Sequence, residues 1–135
     1  MQKNSKKTAF LVEAIVRDKS GKILLLKRSG VNKFYKGLWQ LPGGKVDAGE
    51  NVTHAIKREL KEETNCNNKN LVFEKVFSFN QEFNGFKGKA VLMVFSCGLV
   101  GKLKLSEDHL EHNYFSIEEI KKLKLAPNSK KAIFE

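Results

Sequence analysis

The stretch 41–66, LPGGKVDAGENVTHAIKRELKEETNC, constrains this chain more than any other part of it. Val52, Ala55, Ile56 and Leu60 recur at i, i+3, i+4 and i+8, which predicts a helix over 51–64 with an apolar stripe toward the core. Asn51 is placed to cap its first turn, and Asn65 to end it in the left-handed conformation. Glu59, Glu62 and Glu63 are related by i, i+3 and i+4, so they project from one face. Carboxylates crowded in this way repel one another unless positive charge answers them. Arg58, four residues before Glu62, offers one answer together with Lys57 and Lys61: an ordinary solvated, charged helix face. A hard divalent cation offers the other, because Mg²⁺ takes oxygen ligands, keeps several waters and is completed by substrate phosphates. Gly43 and Gly44 follow Pro42 and would let the backbone approach such an ion and present a carbonyl to it. Glu50 adds a carboxylate just ahead of the helix.

The spacing shifts the balance between these answers toward the cation. Gly44, five residues, Glu50, seven residues, Arg58-Glu59-Leu60, one residue, then Glu62-Glu63 resembles the signature box of the Nudix hydrolases, here from Gly44 to Cys66. Asn65 stands where the family has Gly, and Asn tolerates the left-handed conformation better than most residues. The resemblance continues in Gly37-Leu38-Trp39, in Leu41-Pro42-Gly43-Gly44, in Leu24-Leu25-Leu26-Lys27-Arg28 and in Glu118-Glu119-Ile120, so it covers most of the chain. It implies a single domain over 1–135 of the α/β class, an α/β/α sandwich with a mixed β-sheet and the box as loop–helix–loop.

The resemblance also implies an activity: hydrolysis of a phosphoanhydride in a nucleoside diphosphate linked to another moiety, with Mg²⁺ or Mn²⁺ as cofactor. Position by position, it implies Glu59 and Glu63 as metal ligands, Glu62 as a ligand or the holder of metal-bound water, and the Gly43 carbonyl as a backbone ligand. Arg58 and Glu50 would pair to brace the helix, with Glu50 and Gly44 close to metal and substrate. Glu62, Glu63 and Arg58 are thus the catalytic set expected within the box. The late stretch SEDHLEHNYF looks like the family's acidic loop; Glu111 or Glu107 is expected there as a further ligand or base, with Asp108 beside them. His109 and His112 have no third nitrogen or sulfur ligand at a suitable spacing, so they do not read as a zinc pair. His54 reads as a surface residue of the box helix.

Substrate contacts are expected ahead of the box. Arg28, Lys27 and Lys33 are placed for phosphates, although alternation along a strand lets only one of Lys27 and Arg28 face them. Trp39, with Phe34 and Tyr35, offers a wall for a nucleobase, or else packs into the core. Gln81 is not the Pro that marks ADP-ribose hydrolases of the family. Glu82, Phe83 and Asn84 include no Tyr of the dinucleoside polyphosphate type, and Lys33 and Leu41 break the coenzyme A pattern. A nucleoside triphosphate of the mutator type remains. The alternatives are a dinucleoside polyphosphate, ADP-ribose or another nucleotide sugar, coenzyme A, capped RNA, or a non-catalytic nucleotide-binding module. The intact Glu50, Arg58, Glu59, Glu62 and Glu63 argue against the last.

The rest of the chain fits one small domain. Strands are predicted at 9–17 and 22–28, paired as a hairpin through Asp18-Lys19-Ser20-Gly21, and a loop at 29–44. Further strands are predicted at 71–80 and 89–100, with a turn over 81–88 containing Asn84-Gly85, and a short last strand at 113–115. Ser116 and Glu119 form a capping box for a helix over 117–124, and another helix follows Pro127. The 25 Lys and Arg against 15 Asp and Glu give a formal charge of +10, which favours anionic partners such as nucleotides. Nucleic acid stays open on charge alone, but no aromatic–basic RNA motif supports it. The lysines at 121, 122, 124, 130 and 131 read as a solvated face. Cys66 and Cys97 are too few for a disulfide framework and read as buried thiols of a reducing compartment. The apolar run 8–16 is too short to span a bilayer and holds Glu13, so a cytoplasmic protein with no membrane partner is expected. The oligomeric state is left open.

Overall fold

The computed structural model of the chain describes residues 7–29, 37–83, 86–107 and 109–135. Lys33, Phe34, Tyr35, the Asn84-Gly85 turn and Asp108 lie outside them. In chain order the elements are β1 (Lys7–Val16), β2 (Ile23–Arg28), β3 (Trp39–Gln40), β4 (Gly43–Lys45), α1 (Val52–Thr64), β5 (Asn67–Phe83), β6 (Phe86–Val100), β7 (His109–Phe115), α2 (Ile117–Ile120) and α3 (Pro127–Phe134). The α/β class holds, and the strands divide into two sheets. A four-stranded mixed sheet has the order β4-β1-β6-β5, with β1 and β6 parallel. A three-stranded antiparallel sheet has the order β3-β2-β7.

The expected hairpin of the first two strands does not form. β1 and β2 meet at one bridge, Arg17 to Ile23, and then enter different sheets. β1 is apolar on both faces, with Val12, Ala14, Ile15 and Val16 buried, so it takes a central place between β4 and β6 and has no free edge for β2. The turn itself is as expected: the Asp18 carboxylate accepts from Ser20 N–H, Ser20 Oγ and Lys22 N–H.

Two cores follow from the alternation of β1. Val12, Ala14 and Val16 pack with Ala55, Ile56 and Leu60 of α1 and with Leu24 and Leu26. Ile15 packs on the other side with Leu41, Leu92, Val94, Ile120 and Ala132. The mixed sheet is therefore covered by α1 on one face and by α3 on the other. The capping box opens α2 as expected, yet the helix stops at Ile120 rather than running to 124. The chain there is drawn into an extended pairing instead: Trp39 N–H donates to Lys124 O, and Ala126 N–H donates to Trp39 O. Two short strands, β3 and β4, interrupt the expected loop 29–44, and the last strand is longer than 113–115 because β7 pairs with β2 from Phe115 back to His109, with a register shift between Lys27 and Arg28.

Candidate active site

α1 holds the site because both of its ends and one of its faces are fixed. Asn51 accepts from His54 N–H at 2.7 Å, and Asn65 adopts φ 61°, ψ 18° while donating to Lys61 O. Ala55, Ile56, Leu60 and Thr64 are buried. This sets Glu59, Glu62 and Glu63 along the rim that faces β4.

Glu63 lies deepest, and its Oε1 accepts from Gly43 N–H at 2.8 Å. Burial pushes its carboxyl well above the usual carboxylate range and Glu59 adds to this, while Gly43 N–H and the Arg28 guanidinium draw it back. Burial also raises Glu59, and the Arg58 cation opposes it. The Glu59 carboxylate lies flat against Gly44, where a Cβ would stand 2.6 Å from its Oε1. Residues of an extended strand point their N–H and C=O to the same side. The carbonyl of Gly43 therefore shares the edge from which its N–H reaches Glu63, away from β1.

Arg58 is the hub on the outer side. It donates to Glu50 Oε2 at 2.8 Å and Oε1 at 3.0 Å, to Glu59 Oε1 and Glu62 Oε1 at 2.8 Å, and to Lys45 O at 3.0 Å. Its own pKa is raised by these carboxylates, Glu50 first. The Arg58 bonds hold Glu50 down to about 2, with help from Asp47 N–H and His54. A carboxylate depressed in the fold adds stability above its unfolded value near 4.5, and that stability is lost as pH falls toward 2. Arg58→Ala is therefore expected to lower Tm at pH 7 and to flatten the Tm–pH curve between pH 4.5 and 2, as thermal melts across that range will show. An unchanged acid limb would contradict the brace.

The donor set suits a divalent cation. Glu59, Glu62, Glu63 and the Gly43 carbonyl are all hard oxygen donors, and the two deeper carboxylates sit in surroundings that penalise charge. Among the described residues no three His, Cys, Asp or Glu already close around a point that holds an ion. Arg58 instead occupies Glu59 and Glu62, so an incoming cation competes with it.

Three further residues escaped the sequence reading. Gln40 and His109 are buried, at 7% and 6% exposure. Arg28 Nη1 donates to Gln40 Oε1 at 3.3 Å, and Gln40 Nε2 meets His109 Nε2 at 3.1 Å. Arg28 Nε is buried and has no hydrogen-bond partner among the described residues. Glu13, the sole acid in the apolar run 8–16, stands opposite Gly43 in the β1–β4 register. Burial pushes it up to about 8, against the hydrogen bond from Ser129. A lone acid in an apolar strand was the available signal for Glu13. Gln40 and His109 had none, because they meet only through sheet pairing.

The other expected residues fall elsewhere. Trp39, Lys27 and Glu111 form one cross-strand row, opposite in face to the row containing Gln40 and Leu26. Lys27 pairs with Glu111 at 3.4 Å and lies 5.9 Å from the Trp39 ring centroid, and Trp39 meets Phe115 edge-on at 5.0 Å. Trp39 thus packs against the second core, and Glu111 is not brought to the acidic face of α1. Glu107 and His112 are exposed. His54 is exposed as expected, and its Nδ1 lies 2.7 Å from Glu50 Oε2.

Known proteins resemble this chain in sequence and fold. A family model described as the NUDIX domain matches residues 8–135. An ADP-ribose pyrophosphatase of Methanocaldococcus jannaschii is 36% identical over 116 residues, covering 85% of this chain and 66% of its own length. An 8-oxo-dGTP diphosphatase of Haemophilus influenzae is 45% identical over 58 residues, covering 43% of this chain and 42% of its own. The chain thus spans less than two thirds of the length of these two curated relatives. Among solved structures, a MutT NUDIX hydrolase from Burkholderia pseudomallei superposes with a TM-score of 0.81 at 26% identity, over 94% of this chain and 96% of that one. A MutT protein from Methanosarcina mazei gives 0.74 at 31% identity, over 93% and 88%. With the family model matched almost end to end and the box glutamates gathered beside Gly43 and Gly44, the chain belongs to the NUDIX family.

Proposed function

We propose that the chain is a nucleotide pyrophosphohydrolase dependent on Mg²⁺ or Mn²⁺, with the acidic face of α1 as its centre. One observation carries this reading: the half-buried Glu63 carboxylate is bonded to Gly43 N–H, which brings the Glu59–Glu62–Glu63 face against the Gly43–Gly44 backbone. Glu59, Glu63 and the Gly43 carbonyl would hold the cation, with Glu62 as a further ligand or the holder of its water. When bound, the cation screens phosphate oxygens and makes water a better nucleophile. Glu62, with its side chain 54% exposed, is the carboxylate of this face open to solvent and is placed to take a proton from the attacking water. Arg58 keeps Glu59 and Glu62 aligned. Arg28, steadied by Gln40, has a buried Nε–H beside Glu63 that no described residue accepts, and a phosphate oxygen that displaces its cover would satisfy it. Glu111 enters this scheme only by leaving Lys27, so we place the base in the box.

For the substrate we favour a nucleoside triphosphate. The absent Pro at Gln81 supports this, as does the likeness over 58 residues to the 8-oxo-dGTP diphosphatase of Haemophilus influenzae. ADP-ribose is the second reading, because the Methanocaldococcus jannaschii relative that carries that name matches over most of this chain. Among the described residues no helix is long and apolar enough to cross a membrane. The two free, buried thiols Cys66 and Cys97 suit a reducing compartment, which we take to be the cytoplasm. The test is kcat/KM with Mg²⁺ across common and oxidised nucleoside triphosphates, ADP-ribose, diadenosine tetraphosphate and coenzyme A. A preference for a triphosphate of tenfold or more is expected. A preference of that size for ADP-ribose would replace it with the second reading.

A further inference from the structure

The chain from 39 to 43 crosses from the three-stranded sheet to the mixed sheet and delivers Gly43 to the acidic face. Backbone partners hold most of it: Trp39 N–H on Lys124 O, Ala126 N–H on Trp39 O, and Ala14 N–H on Pro42 O. Two N–H groups of the segment donate to side chains instead: Gly43 N–H to Glu63 Oε1 at 2.8 Å, and Leu41 N–H to Ser129 Oγ of α3 at 2.9 Å. Ser129 is fully buried, and its Oγ lies 3.1 Å from Glu13 Oε1. The Leu41 N–H can only donate, so the hydroxyl accepts there and its single proton goes to Glu13. Glu13 in turn pairs in register with Gly43, and its Cγ would lie 3.0 Å from a Cβ built there. The segment is thus fixed two residues before Gly43 by Ser129 and flanked at Gly43 by Glu13.

A buried hydroxyl costs free energy unless its partners are in place. Ala would fill this spot without that demand, as Ala132 does farther along the same helix. Ser is satisfied only when Leu41 and Glu13 stand where they do, so it specifies a position as well as filling space.

We propose that Ser129, held between Glu13 and the Leu41 peptide, is a positioning residue that sets the Gly43 peptide at the acidic face of α1 and so raises the affinity of that face for a divalent cation. This rests on the assignment of Glu59, Glu62, Glu63 and Gly43 to the cation. It makes the last helix part of the site although α3 contributes no ligand.

The test is Mn²⁺ binding to the whole chain, followed by the electron paramagnetic resonance signal of free Mn²⁺, with turnover measured alongside. Ser129→Ala is expected to weaken Mn²⁺ binding five- to twentyfold and to raise the metal concentration for half-maximal turnover by the same factor. KM for the nucleotide at saturating metal should stay within twofold. Glu13→Gln keeps an acceptor oxygen for Ser129 and should bind Mn²⁺ within threefold of the wild type. Glu13→Leu removes the acceptor and should weaken binding as Ser129→Ala does. It carries the test if Ser129→Ala fails to fold.

Wild-type affinity in Ser129→Ala, or in Glu13→Leu where that variant carries the test, overturns the proposal when Glu63→Gln has lost the ion. A loss in Glu13→Gln as large as that in Ser129→Ala also overturns it, because Glu13 would then act through its charge. If the wild type itself binds no Mn²⁺, the assignment of the site fails, which is a separate result.

Discussion

Glu63→Gln is expected to cut Mg²⁺-dependent turnover by roughly 10³-fold or more while making the metal-free protein more heat-stable. The two effects share one cause. Glu63 is half-buried with its carboxyl pushed well above the usual range, and Gly43 N–H is its backbone donor among the described residues. A carboxyl raised in the fold adds stability that is complete below its unfolded value near 4.5 and is lost as pH rises through its folded value. Without metal, the wild type therefore carries a buried charge at alkaline pH that the amide does not, and Gln can still accept from Gly43 N–H. The variant should melt roughly 5 °C higher at pH 8, and the gap should close toward pH 4.5. Glu13, pushed up to about 8, contributes in the same sense between 4.5 and 8. Added Mg²⁺ should stabilise the wild type and leave the variant unmoved. Calorimetric melts at pH 4.5 and 8, with and without Mg²⁺, check all of this. A variant that is less stable at pH 8 would mean that Glu63 is not the strained ligand described here.

The two glycines should separate folding from function. At Gly44 the three atoms nearest an added Cβ all belong to the carboxylate of Glu59, the far end of a flexible side chain, at 2.6 Å and beyond. Gly44→Ala should fold with a Tm within about 3 °C of the wild type, since a rotamer shift of the Glu59 side chain costs about 1 kcal/mol. Glu59 must swing off the backbone to make room, so turnover should fall roughly 100-fold. At Gly43 the added Cβ collides with the backbone, at Val12 O and at Glu13 Cα, 2.8 Å away. Backbone cannot yield without opening the β1–β4 pairing, so Gly43→Ala should cost about 3 kcal/mol and lower Tm by roughly 10 °C. The reverse order of stabilities would show that the strand edge, and not Glu59, is what Gly44 protects.

How much of this could be read from the sequence depends on distance along the chain. The box helix was legible in detail: Asn51, Asn65, the apolar stripe through Ile56 and Leu60, and the shared face of the three glutamates are local, set by 3.6-residue periodicity and cap chemistry. The capping box at Ser116 and Glu119 was local as well. The misreadings involve partners far apart. Adjacent strands joined by a turn signal suggested a hairpin, but burial on both faces gave β1 the central position, beside β6 some eighty residues later. α2 ended early because the residues beyond it pair with Trp39. Gln40, His109 and Ser129 carry no local pattern, since each acquires its role only from a residue on another element. The acidic face was predictable, while the machinery that holds it at Gly43 was not.

The most direct test of the central claim is phosphorus NMR of a nucleoside triphosphate incubated with the protein, with and without Mg²⁺, beside Glu63→Gln. Nucleoside monophosphate and pyrophosphate, formed only with metal and only by the wild type, are the predicted result. Release of inorganic phosphate from the γ position, or equal turnover by Glu63→Gln, would contradict the acidic face of α1 as the centre of a nucleotide pyrophosphohydrolase.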